Sequence, residues 1–179
     1  MNQIEYVTKL LKQVIKEQIK RVRSSSVSTL YVFDFDHTIA HTVEERYKLP
    51  DGRVDLGAFS HLSDETTPKE PFFELFKAKV KSSPQTTYVL TARPGAVKKP
   101  MLKWLETHDI AIDPDRIVCL GNGAPNKKRD WIMNKVEQLG VGKVMFWDDR
   151  EKNVLAVQSL TDTEKYPTMQ GIKVKAVQA

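Results

Sequence analysis

The chain has 179 residues and a mass of 20.5 kDa, with 28% charged and 40% hydrophobic residues. This composition excludes general disorder and fits one globular domain with at most a short appendage. A single cysteine, Cys119, excludes an internal disulfide framework, and no apolar run reaches the roughly 18 residues that a bilayer span requires. We therefore expect a cytosolic protein without membrane association. The net charge of +5 is too small to identify a partner by itself.

The N-terminal region is predicted to be a basic amphipathic helix over residues 1–23, followed by a linker over 24–28. Its apolar residues recur at three- and four-residue spacing: Ile4, Val7, Leu11, Val14, Ile15, Ile19 and Val22. Residues 1–29 carry six basic and two acidic side chains, a net charge of +4. The apolar stripe favours packing on the main domain, a protein partner or a second copy. A helix that binds nucleic acid or a membrane surface is the alternative.

From Thr29 onward, short apolar runs alternate with helical segments, which predicts one α/β domain over 29–179. Strands are predicted at 30–35, 87–90, 117–120 and 144–147, with a weaker fifth at 172–177. Helices are predicted at 70–81, 95–107, 127–139 and 151–159. This alternation implies right-handed crossovers and a mainly parallel sheet with helices on both faces, which is a three-layer sandwich.

The segment from about 39 to 68 fits neither the strand pattern nor the helix pattern. It is polar, and it contains the turn signal Pro50-Asp51-Gly52 and a loop-like run from Ser63 to Thr67. At about 30 residues it is longer than usual connections, and loops of this length are commonly lids or binding loops.

Polar residues stand at or just after the carboxyl ends of the first four predicted strands, where ligands bind in parallel α/β sheets. In chain order these residues are Asp34, Asp36, Thr91, Arg93, Lys127, Lys128, Asp148 and Asp149. Because the carboxyl ends of parallel strands share one edge of the sheet, we expect these side chains to converge there.

Four carboxylates at one edge repel each other, so their grouping predicts a bound cation. Acidic oxygen ligands without a histidine and cysteine set favour a hard ion, and Mg²⁺ is the expected one. Asp34 and Asp36 alternate along an extended chain, so their side chains should lean to the same side. That arrangement suits one carboxylate that attacks and another that exchanges a proton with the leaving group. Thr91 and Lys128 offer a donor and a cation to a transferring anion.

Each of these residues also has a purely structural interpretation. The pair Asp148 and Asp149 can form the N-cap of the following helix, the two lysines can belong to a solvated helix face, and Thr91 can be a turn residue. All of these residues together, in order and each after a strand, are much harder to explain without a shared site. We therefore expect a functional site.

The motifs at these positions resemble those of the haloacid dehalogenase-like (HAD) superfamily of aspartate-nucleophile hydrolases. The first motif is FDFDHT at 33–38, the second is VLTAR at 89–93, and the fourth is FWDDR at 146–150. The resemblance covers roughly residues 29–160, and the first and fourth motifs are its specific parts. It implies a Rossmann-like fold and Mg²⁺-dependent phosphoryl transfer through an aspartyl-phosphate.

The resemblance also implies a role for each aspartate. Asp34 is the nucleophile and Asp36 is the general acid/base. Mg²⁺ binds the carboxylates of Asp34 and Asp148 and the backbone carbonyl of Asp36, and Asp149 binds or orients it through water. Dehalogenases of this superfamily lack the aspartate at position 36, because a halide leaving group needs no proton. The resemblance therefore implies a phosphatase.

Other positions either match the family pattern or depart from it. Thr91 matches a phosphoryl-binding residue. The phosphate-binding lysine is Lys128 or Lys127, and Lys128 is preferred because it precedes Asp148 by 20 residues. The position often held by glycine after the second aspartate is His37, so the local turn or the nearby substrate contacts should differ. The insert at about 39–68 is short for the family, which implies a minimal cap such as a small hairpin.

The pairing of FWDDR with LTARP resembles the phosphatase domain of phage-type polynucleotide kinase-phosphatases and related RNA-repair HAD domains. That resemblance implies a polynucleotide 3′-phosphate as substrate, with nucleotides as a related choice. Arg93 and Arg150 could clamp phosphate oxygens bidentately. The basic residues that flank the motifs are Lys98, Lys99, Lys103, Lys127, Lys128 and Arg129.

Two alternatives remain open at the level of sequence. One is a HAD phosphatase for a small phosphorylated metabolite, with His41, Arg46, Arg53 and His61 of the insert supplying specificity contacts. The other is a non-catalytic binding module on the same fold. A binding module would not need the full set of acidic residues, so the catalytic hypotheses are preferred.

Overall fold

The computed structural model describes residues 28–43, 49–51, 55–59 and 61–179. The predicted N-terminal helix (1–23) and most of the predicted linker (24–28) lie outside these residues. Within the described part of the chain, none of the helices combines the length and the apolar character needed to cross a bilayer.

Strands and helices alternate along the chain as the sequence predicts. The strands are β1 (Thr29–Phe33), β2 (Ala40–His41), β3 (Thr67–Pro68), β4 (Thr87–Thr91), β5 (Ile117–Cys119), β6 (Lys143–Asp148) and β7 (Lys173–Gln178). The helices are α1 (Leu56–Phe59), α2 (Phe72–Ser82), α3 (Lys98–Thr107), α4 (Pro125–Leu139) and α5 (Glu151–Gln158). The predicted helix over 95–107 is a short 3₁₀ turn at Gly95–Val97 that continues into α3.

Five strands form one sheet in the order β5-β4-β1-β6-β7, and all of its neighbouring pairs are parallel. This confirms the predicted α/β class and parallel sheet, including the weaker fifth strand, which forms one edge as β7. The strand β1 is central, between β4 and β6. Consequently the residues that follow β1 at its carboxyl end are flanked by the ends of β4 and β6.

Helices cover both faces of this sheet, and each face has its own apolar cluster. On one face, Ile132 and Val136 of α4 and Val157 of α5 pack with Leu30 and Val32 of β1. The cluster on the other face joins side chains of α2, α3 and β1: Phe73, Phe76, Met101, Leu105, Phe33 and Phe35. Burial of these apolar side chains is the main favourable contribution to such a fold. The layered arrangement is compatible with a Rossmann-like fold.

The helix α4 is bounded by residues whose backbone preferences suit its ends. It begins at Pro125, where a missing N–H has no helical partner to lose. It ends before Gly140, which has a φ of 64° in the left-handed region that glycine adopts most easily. These two residues fix the length of α4, and its first turn carries Lys127 and Lys128 to the carboxyl edge of the sheet.

The insert between β1 and α2 contains a second, smaller sheet. In it, β2 and β3 pair antiparallel, with Ala40 opposite Pro68 and His41 opposite Thr67. The short helix α1 lies between these strands in sequence. Arg46 and Arg53, which the metabolite hypothesis invokes, lie outside the described residues. The paired strands return the chain to the carboxyl edge of the main sheet.

Candidate active site

The carboxyl edge of the sheet brings together polar residues from three adjacent strands. Asp34 directly follows β1, Thr91 ends β4 and Asp148 ends β6, and all three are buried. The backbone N–H of Asp34 donates to the carbonyl of Trp147 (2.9 Å), so the β1–β6 pairing continues up to the acidic residues. The sheet order therefore places Asp34 between Thr91 and Asp148.

Lys128 joins two of the aspartates. Its Nζ lies 2.7 Å from Asp34 Oδ1 and 2.7 Å from Asp148 Oδ2, and the residue is only 2% exposed. Burial by itself lowers the pKa of Lys128, but the charges of Asp34 and Asp148 outweigh it, so the pKa is raised and the ammonium stays protonated. The structure thus brings Lys128 to the carboxylates and leaves Lys127 exposed.

Asp34, Asp148 and Asp149 form an acidic cluster that suits a metal ion. Each offers a carboxylate oxygen, and the three oxygens lie within 4.8 Å of one another. Burial raises the pKa of Asp34 well above its usual range, against Lys128, and Asp148 and Asp36 raise it further. Burial and the charge of Asp148 also raise the pKa of Asp149. Crowded oxygen donors with excess negative charge fit a hard divalent cation such as Mg²⁺.

Asp36 occupies a different environment from this acidic cluster. Arg93 Nε lies 3.0 Å from both Asp36 oxygens, and Arg93 Nη2 lies 2.7 Å from Oδ1. The Thr42 hydroxyl, from the insert, donates to the same Oδ1 (2.9 Å). The Asp36 carboxylate is therefore fixed by two side chains, and it is not a member of the acidic cluster.

Arg93 is predicted from the sequence to hold phosphate, and the structure gives its guanidinium other partners. The residue is fully buried, and it donates to Asp36 and, through Nη1, to the carbonyl of His61 in the insert (3.1 Å). Its backbone N–H donates to the Thr91 hydroxyl (3.1 Å). Arg93 thus ties the end of β4 to Asp36 and to the insert.

Asp148 is held by contacts that the N-cap interpretation does not predict. Its Oδ1 accepts from the backbone N–H of Arg150 (2.9 Å) and from the buried Asn153 amide (2.9 Å). The N-cap residue of α5 is Arg150, and it makes no side-chain cap bond. Sequence reasoning missed Asn153 and Thr42 because neither belongs to a motif. The only signal for Asn153 is its place one helical turn after the acidic pair.

His37, at the position where the family pattern has glycine, adopts a left-handed backbone conformation with a φ of 53°. Lys69 Nζ donates to its carbonyl (2.5 Å), and its N–H donates to the carbonyl of Ala40 (2.7 Å). Its imidazole lies close enough to Asp149 to lower the pKa of that carboxyl, against the effect of burial. The turn after β1 therefore has the geometry that a glycine would favour, although the residue is histidine.

The basic residues that flank the motifs occupy varied environments. Lys98 lies 4.0 Å from Asp115, Arg129 is paired with Asp130, and Lys99 and Lys103 are exposed on α3. The exposed residues nearest the acidic cluster in the chain are Lys127 and Arg150. An Arg150 Nη1 lies 3.4 Å from the position that a Cβ on Gly123 would occupy, so this side chain reaches the loop before α4.

Comparisons with protein-family models, with curated proteins and with solved structures found no match for this chain. A functional interpretation therefore depends on the motifs and on the geometry of the carboxyl edge. That edge presents a buried carboxylate beside a protonated lysine, a second carboxylate held by an arginine, and an acidic cluster of metal-binding type. These groups are suited to the transfer of an anionic group.

Proposed function

We propose that this protein is a Mg²⁺-dependent phosphatase of the HAD type, working through an aspartyl-phosphate on Asp34. The observation that carries the proposal is the contact of Lys128 with both Asp34 and Asp148, 2.7 Å each, at the edge where Asp36 is held separately. A carboxylate that attacks and a carboxylate that exchanges protons need different environments. Asp34 and Asp36 have such different environments.

The acidic cluster would hold the metal through Asp34, Asp148 and Asp149. When bound, Mg²⁺ supplies positive charge that offsets the carboxylates and the phosphate oxygens. Lys128 adds a cation fixed by the fold, and Thr91, at the end of β4, offers a hydroxyl at the same edge. Fixed charges of this kind stabilise a transferring phosphoryl group without rearrangement during the reaction.

In the first step, a carboxylate oxygen of Asp34 attacks phosphorus and the bond from phosphorus to the leaving oxygen breaks. Asp36 supplies the proton that the leaving oxygen takes. Asp36 Oδ1 accepts from Arg93 Nε, Arg93 Nη2 and Thr42, whereas among the described residues Oδ2 accepts only from Arg93 Nε. Oδ2 is therefore the oxygen that carries the proton.

In the second step, Asp36 takes a proton from water as the water oxygen attacks phosphorus. The acyl phosphate bond then breaks, which releases inorganic phosphate and restores the Asp34 carboxylate. Arg93 is fully buried, and it favours the ionised form of Asp36 that this step requires. The arginine is thus a positioning residue for Asp36 in this proposal.

For the substrate we propose a phosphorylated polynucleotide end, with a 3′-phosphate as the first choice. Exposed Lys127 and Arg150 flank the acidic cluster in the chain, one in the first turn of α4 and the other at the start of α5. Cations at such positions can contact phosphates beyond the one that reacts. A small phosphorylated metabolite would not reach both of them.

The experiment is a substrate panel assayed with Mg²⁺ and again with EDTA. The panel contains p-nitrophenyl phosphate, mononucleotides, and oligonucleotides with a 3′- or a 5′-phosphate. We expect hydrolysis that EDTA abolishes and Mg²⁺ restores, and Asp34→Asn should reduce it by roughly 10³-fold or more. Asp109→Asn is the matched control, because Asp109 is exposed and asparagine tolerates its φ of 61°.

Two results would contradict parts of the proposal. If the wild type hydrolyses nothing on the panel beyond the level of Asp34→Asn, the protein is not a phosphatase of this type. If it hydrolyses free nucleotides or sugar phosphates much faster than oligonucleotide ends, the phosphatase mechanism stands and the polynucleotide substrate is wrong.

A further inference from the structure

A cavity of about 420 Å³ lies between the insert and α3, apart from the acidic cluster. The insert side is lined by residues from Leu62 to Thr66, and the other side by α3 and His108. Trp104 Nε1 donates to the carbonyl of Thr66 (3.0 Å), which ties the two walls together. The cavity is therefore built into the fold, and its volume lies in the range of small-molecule sites.

The walls of this cavity combine aromatic rings with hydrogen-bonding groups. The rings of Trp104 and His108 both line it, with their centroids 4.7 Å apart. Lys103 and Asp64 are exposed lining residues and add one positive and one negative charge. Because these charges balance, the cavity suits an uncharged ligand with both donors and acceptors better than it suits an anion.

Thr66 supplies an independent indication that the cavity takes a polar ligand. It lines the cavity and is 5% exposed, and its hydroxyl has no hydrogen-bond partner within the part of the chain that the structure describes. A buried hydroxyl without a partner is unfavourable, so such groups normally mark a bound molecule. A ligand that hydrogen-bonds to Thr66 would satisfy it.

We propose that this cavity, the nucleobase pocket, binds a purine or pyrimidine base. A base is planar and stacks on aromatic side chains, and its edges carry the donors and acceptors that the hydroxyl and the charged rim can meet. The pocket also lies next to the contacts of Asp36. Leu62 lines it, and the carbonyl of His61, the preceding residue, accepts from Arg93.

This inference goes beyond the proposed function, and its test needs no hydrolysis. Adenosine, cytidine and ribose are each titrated into the full chain by calorimetry. We expect both nucleosides to bind and ribose not to bind. Asp34→Asn should bind adenosine with wild-type affinity, so a failed phosphatase assay would leave this result unaffected.

Two substitutions locate the ligand. Thr66→Val should weaken adenosine binding about fivefold, the usual effect of losing one hydrogen bond, without lowering the melting temperature. Thr107→Phe places a ring at an exposed lining position and should abolish binding. Thr67→Val, at the exposed neighbour of Thr66, is the matched control and should bind as the wild type does.

Several outcomes would overturn the proposal. They are an absence of nucleoside binding at millimolar concentration, equal affinity for ribose and adenosine, and wild-type affinity in Thr107→Phe. Unchanged affinity in Thr66→Val would show that its hydroxyl does not contact the base, which overturns the contact from which the pocket is assigned.

Discussion

Lys127 and Lys128 are neighbours in the sequence, but the fold places them in opposite environments. Lys128 is buried between Asp34 and Asp148, whereas Lys127 is exposed in the same turn of α4. A charge in water is screened and contributes little to its neighbours. A charge held among buried carboxylates is screened far less, so these two lysines should differ strongly in their effect on function.

We predict that Lys128→Ala is damaging and that Lys127→Ala is nearly neutral. Without its ammonium, Asp34 and Asp148 lose a buried partner, a change that costs about 3–5 kcal/mol in comparable pairs. The melting temperature should fall, and kcat/KM for p-nitrophenyl phosphate should drop by about 10²-fold or more. Lys127→Ala should remain within about twofold of the wild type.

The matched pair separates two sources of lost activity. Circular dichroism gives the folded fraction of each variant at the assay temperature, and the rates are compared per folded molecule. A larger loss in Lys127→Ala than in Lys128→Ala would show that Lys127 is the phosphate-binding lysine. Equal small losses would remove the lysine from the mechanism.

At the scale of secondary-structure elements, the sequence predicts which segments form strands but not how the strands are ordered. Apolar runs and turn residues are local signals, and they place β1, β4, β5 and β6 within a few residues. The order β5-β4-β1-β6-β7 depends on pairings between distant segments. The convergence of the acidic residues was still predictable, because parallel strands end at one edge whatever their order.

The partners of Asp36 were beyond such reasoning for the same physical reason. Arg93 lies 57 residues from Asp36 along the chain. A free guanidinium suits phosphate and carboxylate equally well, so the motif alone could not decide between the two partners. Thr42 has no motif at all, and its position depends on the turn after β1 and on the pairing of β2 with β3.

The insert contributes to Asp36 through Thr42, which leads to a prediction for this element. Thr42→Val keeps the shape of the side chain and removes one hydrogen bond to Asp36 Oδ1. We expect kcat for p-nitrophenyl phosphate to fall about five- to tenfold. KM should be nearly unchanged, because Thr42 acts through Asp36 and not on the substrate.

The control for this prediction is Thr67→Val, in the strand β3 that pairs with β2. Thr67 is exposed and faces His41 across the small sheet, so its replacement tests the insert without touching Asp36. A purely structural role for Thr42 would instead lower the melting temperature and leave the pH profile of kcat unchanged. Equal kinetics in both variants would show that the insert does not position Asp36.

On the scale of the whole molecule, the positive charge is concentrated in one segment. Residues 1–29 have a net charge of +4, and the other 150 residues carry 22 basic and 21 acidic side chains. The same N-terminal segment carries the predicted apolar stripe. Polyanion binding would use its charge, whereas packing or self-association would use the stripe, and the two differ in their response to salt.

We predict that the stripe decides, and that residues 1–23 mediate association between protein surfaces. Burial of an apolar face is favourable in any salt, whereas contacts with phosphates weaken steeply as salt rises. A variant that lacks residues 1–23 should therefore be smaller by light scattering at low and at high salt. Its affinity for a 3′-phosphorylated oligonucleotide should match that of the full chain.

The melting temperature distinguishes association with a second copy from packing on the same domain. Both apolar clusters of the described fold are built from residues between Leu30 and Ile172, so the domain should unfold at the same temperature without residues 1–23. A clear fall in melting temperature with unchanged mass would mean that the segment packs on its own domain. A loss of oligonucleotide affinity that disappears at high salt would mean that its charge, and not its stripe, is what it contributes.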